Sequence, residues 1–584
     1  MLDLELSKLD AIDFARKTYI ITELTSQAKE DYEFDPEKQI WEVKTEYFHP
    51  DGNIRPINLF FYLQDDFPLV IPEILADKQF LIDVGYLPHI NSRGVVCLYD
   101  ATSITLDVNR PGEILTSAIH RAITIIEDGM SGKNIEDFAD EFVAYWSDQY
   151  TTNDAHYKGL CMVGSDDPDL YSLKTIVLDK KFKDFRVIVH DECSDFKILN
   201  SYFREYKHSF VEYPTFYLGT SSIIYPPFNL TNGEILLFIE KEFKTRLHEF
   251  GKFLEQNPYS TFLIFSIKIG SSLSFFGWYL PFINCSRSGF RSGTLKPLKV
   301  LASFQKNETP PRLVLETYTS NRLQTRTTGT IASKRYSFTV AGLGSIGSNL
   351  IPYLVSLECA HFSLIDFDVL TIENINRHLL GMSYVGVNKA QSMKIHLQLD
   401  NPLLTVESYN ASVIEVLNQK SDVLNNSDFI IVAIGINSVE EYIANALADG
   451  KITKPVLFFW VEPYLMGGHC IFLTPLHSLS FKNLFENGLY NYNIISKETY
   501  KNPAIQIKLR EAGCQTSYIP YGRKSMTRFL SSIITTIYKI IEGSDVQNIA
   551  ISWRNSKNVI DGLDIKLSEF GESLDEYQTY INML

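Results

Sequence analysis

A strand that runs into a glycine loop and then into a helix constrains this chain more than any other feature. Residues 336–355 read YSFTVAGLGSIGSNLIPYLV, where a β-branched and aromatic run meets Gly342, Gly344 and Gly347 before a helical pattern. Glycines at this spacing let the backbone approach a phosphate, and the free N–H groups of the following helix favour negative charge. The segment predicts a Rossmann-like α/β domain that binds a nucleotide. The alternative is a glycine-rich turn without a ligand.

Charged and amide side chains after the loop help to decide which nucleotide fits. A triphosphate carries more charge than the diesterified pyrophosphate of a dinucleotide, and it needs cations close by. Arg377 and Lys389 supply such cations, and acids at the end of the second strand suit ribose and magnesium. Each residue alone is an ordinary surface group, but together they favour a triphosphate. The candidate residues are Asp366, Asp368, Asn374, Asn376, Arg377 and Lys389.

These residues, with the three glycines and Asn401-Pro402, resemble the adenylating domain of ubiquitin-activating enzymes and their bacterial ThiF/MoeB relatives. The resemblance covers about 110 residues. It implies that a protein C-terminal carboxylate attacks the α-phosphate of ATP, with Mg²⁺ as cofactor, to give an acyl-adenylate and pyrophosphate. It also implies that Arg377 and Lys389 stabilise the charge on the transferring group.

One position departs from the family pattern. Relatives have an acid that helps to hold magnesium just before an asparagine, but here Ile436 precedes Asn437. The metal ligands are therefore unknown: Asp366 or Asp368 does more of this work, or the alignment is shifted by a residue. The family also implies a homodimer through this domain, with Arg322 or Arg326 as candidates to reach the partner's ATP.

Cys514 lies in LREAGCQTSYIPYG, between two predicted helices, where we expect an exposed turn. In activating enzymes a cysteine at a comparable place takes the acyl group from AMP as a thioester, and a nearby basic group or helix N-terminus can assist thiolate formation. The alternative is an ordinary core cysteine. Cys470 is a rival for the same role, but its glycine-flanked strand favours sheet packing.

Cys97 lies in LPHINSRGVVCLYD, which resembles the active-site segment of ubiquitin-conjugating enzymes. In that family an asparagine turn and a glycine precede the cysteine, as Asn91 and Gly94 do here. The family has an asparagine eight residues before the cysteine, where this chain has His89. A histidine can donate a hydrogen bond to an oxyanion or can only brace the loop, and the sequence leaves both roles open.

Length predicts a multidomain protein, because a chain of 584 residues exceeds one hydrophobic core. The helix and strand patterns predict an α+β order at 1–150, an α+β linker domain at 151–325 without a catalytic constellation, and an α/β domain at 326–584. The resemblances imply that the first is a ubiquitin-conjugating-like domain and the last a Rossmann-like ThiF adenylation domain.

Charge and cysteine usage narrow the partners and the compartment. The net charge of −16 argues against a nucleic-acid or anionic-membrane partner. None of the seven cysteines forms a CxxC pair, which favours reduced thiols and argues against a zinc knuckle. We find no secretory signal and no membrane-spanning run, so we expect a cytoplasmic protein.

Taken together, the two cysteine segments and the adenylation domain predict a relay in one chain. The carboxylate is adenylated, captured as a thioester on Cys514, passed to Cys97 and ligated to an amine of a protein or small molecule. The domain order resembles bacterial fusion enzymes of antiphage CBASS operons, which implies a CD-NTase as the protein substrate. Two alternatives remain: an NAD- or FAD-dependent oxidoreductase, which leaves the cysteines unexplained, and an inactive nucleotide-binding scaffold.

Overall fold

The computed structural model divides the chain into two compact units, Met1–Phe196 with Lys207–Tyr318, and Lys197–Tyr206 with Thr319–Leu584. The structure describes residues 3–584 except 86, 92, 100–102, 148–155, 165–171, 223–229, 258, 271, 287–288, 292–294, 332–333, 476–480, 506, 508, 511–516 and 544–546.

The first unit begins with a small antiparallel sheet covered by a long helix. Its strands, in spatial order, are Ile20–Glu23, Trp41–Phe48, Ile54–Tyr62 and Glu73–Ala76. Helix Pro111–Ser131 packs on this sheet because Leu115, Ile119, Ala122 and Ile126 recur at helical spacing and are all buried. Proline in its first turn and a left-handed Gly132 at its end set its limits. The other helices here are Leu4–Ala15, Ser26–Asp31 and Lys78–Val84.

A mixed eight-stranded sheet forms the rest of the first unit. In spatial order its strands are Phe210–Tyr213, Lys174–Phe182, Phe185–His190, His156–Met162, Arg312–Thr317, Ser272–Leu280, Thr261–Ile269 and Thr215–Ser221. The helices of this region are Asp137–Ser147, Ser194–Glu205, Asn232–Phe243, Arg246–Gln256 and Pro297–Ser303. Helix Asp137–Ser147 buries Phe138, Phe142 and Trp146 in the core of this sheet.

The second unit contains an eight-stranded sheet that changes from parallel to antiparallel. Five parallel strands come first in spatial order: Thr405–Tyr409, Cys359–Ile365, Tyr336–Ala341, Phe429–Val432 and Val456–Val461. Three antiparallel strands follow: Gly467–Leu473, Ile549–Arg554 and Thr579–Met583. Chain order reverses on either side of Tyr336–Ala341, and ligands of open α/β sheets bind at such a switch point. The predicted Rossmann-like arrangement is confirmed.

The helices of the second unit are Ser320–Thr328, Ser345–Val355, Lys389–Asp400, Val413–Gln419, Asp422–Asn425, Asn437–Ala448, Lys497–Lys501, Arg523–Glu542 and Glu569–Ser573. Short 3₁₀ turns occur at Ile372–Asn374, Met382–Tyr384, Pro463–Leu465, Phe481–Leu484 and Lys557–Ile560. Two small hairpins pair Phe485–Glu486 with Leu489–Tyr490 and Leu509–Arg510 with Ser517–Tyr518.

Within the part of the chain that the structure describes, every helix is too short or too polar to cross a membrane.

Candidate functional site

The glycine loop packs so closely that two of its glycines have no room for a side chain. Gly342 has φ +89°, and a Cβ there would lie 2.6 Å from the carbonyl oxygen of Ala433. A Cβ on Gly347 would lie 2.0 Å from the carbonyl oxygen of Gly342. Gly344, in contrast, faces open space and caps helix Ser345–Val355. The loop therefore leaves the N-terminus of this helix open to a ligand.

A cavity of about 720 Å³ opens at this helix N-terminus. Of the residues predicted from the sequence, it brings together Gly344, Asn374, Arg377 and Lys389. Gly342, Gly347, Asp366, Asp368 and Asn376 lie outside its lining. The cavity thus combines free helix N–H groups with two cations, which suits a polyanionic ligand.

Asp366 holds the loop instead of facing the cavity. Its Oδ2 accepts a hydrogen bond from the backbone N–H of Leu343 over 2.7 Å, and its Oδ1 accepts one from the N–H of Asp368 over 2.8 Å. Burial raises the pKa of Asp366, although these N–H groups and the charge of Lys389 oppose the shift. Its carboxylate therefore ties the second strand to the glycine loop.

Lys389 is the first residue of helix Lys389–Asp400, and its side chain is 11% exposed. Its Nζ lies 2.9 Å from Oδ2 of Asp368, which is 54% exposed. The side chain of Asn388 caps the helix and also donates to the carbonyl oxygen of Asp366 over 2.8 Å. These contacts fix the cation at the cavity wall, so Asp368 acts here as the partner of Lys389.

Arg377 is held by its backbone and by an aromatic ring. Its carbonyl oxygen accepts from Ser345 Oγ over 3.0 Å and from Asn349 Nδ2 over 2.8 Å, and its guanidinium lies 5.8 Å from the ring centroid of Tyr521. Asn374 completes a capping box with Thr371, whereas Asn376 is exposed. The chain around Arg377 is thereby attached to the glycine-loop helix.

Next to Arg377, the buried His378 contacts the glycine loop. Its Nε2 lies 2.7 Å from the carbonyl oxygen of Leu343. Burial lowers the pKa of His378 to about 4, so the ring is neutral at pH 7 and donates this hydrogen bond. Leu343 therefore receives one anchor from Asp366 and another from His378.

Another part of the cavity lining is built around a buried carboxylate. Glu462 is 2% exposed; His469 Nε2 lies 2.7 Å from its Oε1, and Tyr500 donates to its Oε2 over 3.1 Å. The backbone N–H of Ile495 also donates to Oε2 over 2.8 Å. Trp460, Phe485 and Tyr490 add aromatic surface to this wall. Glu462 therefore joins the segment near Ile495 to the sheet.

Cys97 lies in the first unit and is exposed to solvent. The predicted turn before it is present: Asn91 Oδ1 accepts from the backbone N–H of Val95 over 3.0 Å, and Gly94 has φ +87°. A Cβ on Gly94 would lie 2.5 Å from the carbonyl oxygen of Ala76, so a larger residue is excluded. The backbone N–H of Cys97 donates to the carbonyl oxygen of His89 over 2.7 Å.

His89 lies between two acids of helix Asp137–Ser147. Its Nδ1 is 2.7 Å from Oε1 of Glu141, and its Nε2 is 2.9 Å from Oδ2 of Asp137. A ring nitrogen of His89, Sγ of Cys97 and a carboxylate oxygen of Glu141 all lie within 4.8 Å of one another. The sequence left two roles open for His89: to donate a hydrogen bond to an oxyanion, or to support the loop. Because both ring nitrogens face carboxylates, these contacts agree with support of the loop.

Known proteins resemble both ends of this chain. Residues 26–154 match the family model Prokaryotic E2 family B, and residues 319–507 match the ThiF family model. The chain is a fusion of an E2-like domain and a ThiF domain.

A curated relative resembles most of the fusion. "ATP-dependent ubiquitin transferase-like protein Cap2" of Pseudomonas aeruginosa is 24% identical over 455 residues, and the match covers 74% of this chain and 76% of the relative. The "Sulfur carrier protein adenylyltransferase" of Thermus thermophilus is 28% identical over 125 residues, and that match covers 20% of this chain and 46% of that protein. A crystal structure of PaaA matches 40% of this chain and 73% of that chain, with 17% identity and a TM-score of 0.31.

Two cysteines, Cys514 and Cys470, belong to the ThiF part of the chain. Cys514 lies outside the described residues. Cys470 is fully buried in strand Gly467–Leu473, and burial raises the pKa of its thiol well above the usual range. A buried thiol with a raised pKa is a poor nucleophile, which agrees with the sheet-packing interpretation of Cys470.

Two acids of the ThiF cavity, Glu440 and Glu462, were not predicted from the sequence. Glu440 is 3% exposed, lines the cavity and accepts from the backbone N–H of Gly435 over 2.9 Å. Burial raises the pKa of Glu440 to about 7. Ile436, at the position where relatives carry an acid, is 52% exposed at the start of helix Asn437–Ala448. Glu440 follows Asn437 by three residues, and this helical spacing was the available signal.

Proposed function

We propose that the ThiF domain uses ATP to adenylate the C-terminal carboxylate of a protein. The observation that carries this proposal is the convergence of Arg377, Lys389 and the open N-terminus of helix Ser345–Val355 on one cavity. Two cations and a helix dipole together stabilise the negative charge of a triphosphate and of its transition state. The E2-like domain in the same chain gives such an activated carboxylate a destination.

In the proposed reaction a carboxylate oxygen attacks the α-phosphorus of ATP, and the bond from that phosphorus to the β-phosphate oxygen breaks to release pyrophosphate. Lys389 and Arg377 stabilise the charge that spreads over the phosphate oxygens. The chain supplies binding and orientation, and no proton has to be moved in this step.

The acids of the cavity fit a Mg²⁺ ion that accompanies ATP. Mg²⁺ prefers carboxylate oxygens, and it neutralises phosphate charge when bound. Asp366 has both oxygens bound to backbone N–H groups, whereas Glu440 has Oε2 without a hydrogen bond among the described residues. We therefore propose Glu440 as the carboxylate that takes the place of the acid missing at Ile436.

After adenylation, the proposed relay uses two thiols. The Cys514 thiolate attacks the acyl carbon and AMP leaves; the Cys97 thiolate then attacks the thioester and releases Cys514. An amine finally attacks the acyl group on Cys97, which forms an amide and frees the thiol. This chemistry requires reduced cysteines, so we propose a cytoplasmic protein. We also propose a homodimer through the ThiF domain. The proposed domain limits are 1–150, 151–325 and 326–584, with helix Asp137–Ser147 contributing side chains to both of the first two domains.

For the substrate we propose a CD-NTase, whose conjugation would serve antiphage defence. The support is the resemblance over 74% of the chain to Cap2, together with the order of the E2-like and ThiF domains.

Carboxylate-dependent exchange of pyrophosphate into ATP tests the adenylation step. Wild-type protein with Mg-ATP and a candidate CD-NTase should catalyse exchange, and a CD-NTase truncated at its C-terminus should not support it. The matched variants are Lys389→Ala and, as a control, Lys451→Ala, an exposed lysine outside the cavity. Wild-type protein that binds ATP but never exchanges pyrophosphate would leave only a nucleotide-binding scaffold, whereas a bound, absorbing flavin or nicotinamide would favour the oxidoreductase.

Non-reducing gels test the relay. With Mg-ATP and the CD-NTase, wild type should form a thiol-sensitive adduct that is absent in Cys514→Ala and accumulates on Cys514 in Cys97→Ala. Exchange without an adduct in wild type would retain adenylation and refute the assignment of Cys514.

A further inference from the structure

The helix Asp137–Ser147 has two faces with different environments. On one face Phe138, Phe142 and Trp146 are at most 1% exposed. They belong to the core of the mixed eight-stranded sheet of the first unit, which we call the middle sheet. Phe142 and Trp146 contact Phe276, with ring centroids at 4.6 and 5.4 Å. This face makes the helix part of the middle sheet, although it lies near the C-terminal end of the segment that matches the E2 family.

Hydrogen bonds fasten the end of the same helix to the sheet. The indole Nε1 of Trp146 donates to the carbonyl oxygen of Leu313 over 2.6 Å, and Arg312 donates to the carbonyl oxygen of Trp146 over 3.0 Å. Arg312 is 2% exposed, so its bond to this carbonyl is formed away from solvent. These bonds hold the helix on the sheet, and the helix in turn fixes the positions of the side chains on its other face.

The other face carries Asp137 and Glu141, and both bind His89. Glu141 makes two contacts with this residue: Oε1 is 2.7 Å from the ring Nδ1, and Oε2 accepts from the backbone N–H over 3.1 Å. The hydroxyl of Tyr145 donates to the same Oε2 over 2.6 Å. His89 has φ +65°, a strained conformation for a side-chain-bearing residue, which these contacts hold in place.

We propose that Glu141 and Asp137 are positioning residues for Cys97, through which the middle sheet holds the conjugating thiol. The path has three links: the helix is fixed in the middle core, its acids fix the ring and backbone of His89, and the carbonyl of His89 accepts the N–H of Cys97 over 2.7 Å. This inference rests on the proposed function only for the thioester chemistry at Cys97. It gives the middle region, for which the sequence predicted no catalytic constellation, a role in that chemistry.

The protonation of the cluster agrees with this role. Ionised carboxylates only accept hydrogen bonds, so two carboxylates facing both ring nitrogens require an imidazolium. The hydrogen bond to Glu141, followed by that to Asp137, raises the pKa of His89 against the opposing effect of burial. Burial would raise the pKa of Glu141, but hydrogen bonds from His89 and Tyr145 outweigh it and lower the pKa. Cys97 Sγ therefore lies within 4.8 Å of a ring nitrogen of the imidazolium and of a carboxylate oxygen of Glu141.

Alkylation of Cys97 by iodoacetamide in the full-length chain tests the proposal without ATP or a substrate. The rate constant at Cys97 is measured by peptide mapping between pH 6 and 9, with EDTA present to exclude adventitious metal. The proteins are wild type, Glu141→Gln, His89→Gln and the double variant, with Glu136→Gln as the matched control on an exposed acid before the helix.

If Glu141 acts through His89, the double variant has the same pH profile of the alkylation rate as His89→Gln. In Glu141→Gln, the step in this profile that reports the titration of His89 moves toward the ordinary pKa of 6.5. Glu141→Asp should restore part of the wild-type profile, and Glu136→Gln should leave it unchanged. Tyr145→Phe, which retains the buried ring, should shift the profile in the same direction by less. Additive effects in the double variant, or a wild-type profile in Glu141→Gln, would overturn the proposal.

The thioester then supplies a second readout that depends on the proposed function. Discharge of a Cys97 thioester to an amine should slow about ten- to a hundredfold in Glu141→Gln, because misplacing a reacting group costs rates of this order. Failure of pyrophosphate exchange would remove this readout but would leave the alkylation test intact, so the two proposals fail separately.

Discussion

The ammonium of Lys389 lies 2.9 Å from the carboxylate of Asp368, so an acid at the end of one strand holds a cation at the cavity wall. Asp368 itself lies outside the cavity lining, whereas Lys389 is part of it. The pair orients the cation toward the space next to the glycine loop before any ligand arrives.

Replacing Lys389 by alanine should reduce pyrophosphate exchange about a hundred- to a thousandfold, which is the usual effect of removing one preorganised charge from a reacting group. Asp368→Asn should have a smaller effect, because the lysine remains but loses the acid that orients it. Both are measured as kcat/KM for ATP. Equal losses in Lys389→Ala and the control Lys451→Ala would contradict the assignment.

A methyl group on Gly347 should unfold the loop, whereas one on Gly344 should not. The Cβ of Gly347→Ala would overlap the carbonyl oxygen of Gly342 at 2.0 Å, and we expect a loss of about 3 kcal/mol in the free energy of unfolding. Gly344→Ala enters open space and should stay within about 1 kcal/mol of wild type, yet weaken ATP binding. Urea unfolding without nucleotide and ATP titration separate the two effects. Equal stabilities of the two variants would refute the packing argument.

Glu440 should make the ThiF domain less stable as pH rises. Its pKa is about 7 in the folded state against 4.5 when unfolded, so between these values the folded state keeps a proton that the unfolded chain releases. Stability then falls from pH 4.5 to 7, by on the order of 3 kcal/mol at most.

The variant Glu440→Gln retains an oxygen for the N–H of Gly435 and cannot ionise. Its stability relative to wild type should therefore increase between pH 5 and 8, as measured by unfolding without nucleotide or Mg²⁺. A difference independent of pH would show that Glu440 does not titrate in this range. If the carboxylate also serves Mg²⁺, the variant should need more Mg²⁺ for half-maximal exchange.

Cys470→Ala should preserve the thioester adduct. The side chain is fully buried in the sheet, so its loss should cost about 1–2 kcal/mol of stability without removing a reactive thiol. The adduct is followed on non-reducing gels beside Cys514→Ala. Loss of the adduct in a folded Cys470→Ala protein would reassign the acceptor cysteine.

The local sequence was sufficient to predict the strand, loop and helix on the glycine-loop side of the cavity. The strand, the loop and the helix at 336–355 are continuous in sequence, and the carboxyl ends of neighbouring parallel strands meet at one edge of a sheet. Arg377 and Lys389 both line this cavity. The pattern could not indicate that Asp366 and Asp368 turn away from the cavity lining, because that depends on which nearby N–H and ammonium groups they meet.

The remaining parts depend on contacts between distant segments. Glu462 is hydrogen-bonded by Ile495 and Tyr500, which are 33 and 38 residues away in sequence. His89 and Glu141 are separated by 52 residues, and neither lies in a local sequence motif that indicates the contact between them. A resemblance to the E2 family pointed to Cys97 in the sequence. The side chains that contact its loop could be named only from the three-dimensional structure.

The helix Asp137–Ser147 also affects how this fusion can be inherited. Recombination just before Asp137 would separate the loop of Cys97 from its acids, and recombination just after Ser147 would remove Phe142 and Trp146 from the middle sheet. Neither break yields two complete modules. Exchange between related genes should therefore transmit the conjugating segment and the middle sheet together, with their facing residues changing in concert along a lineage.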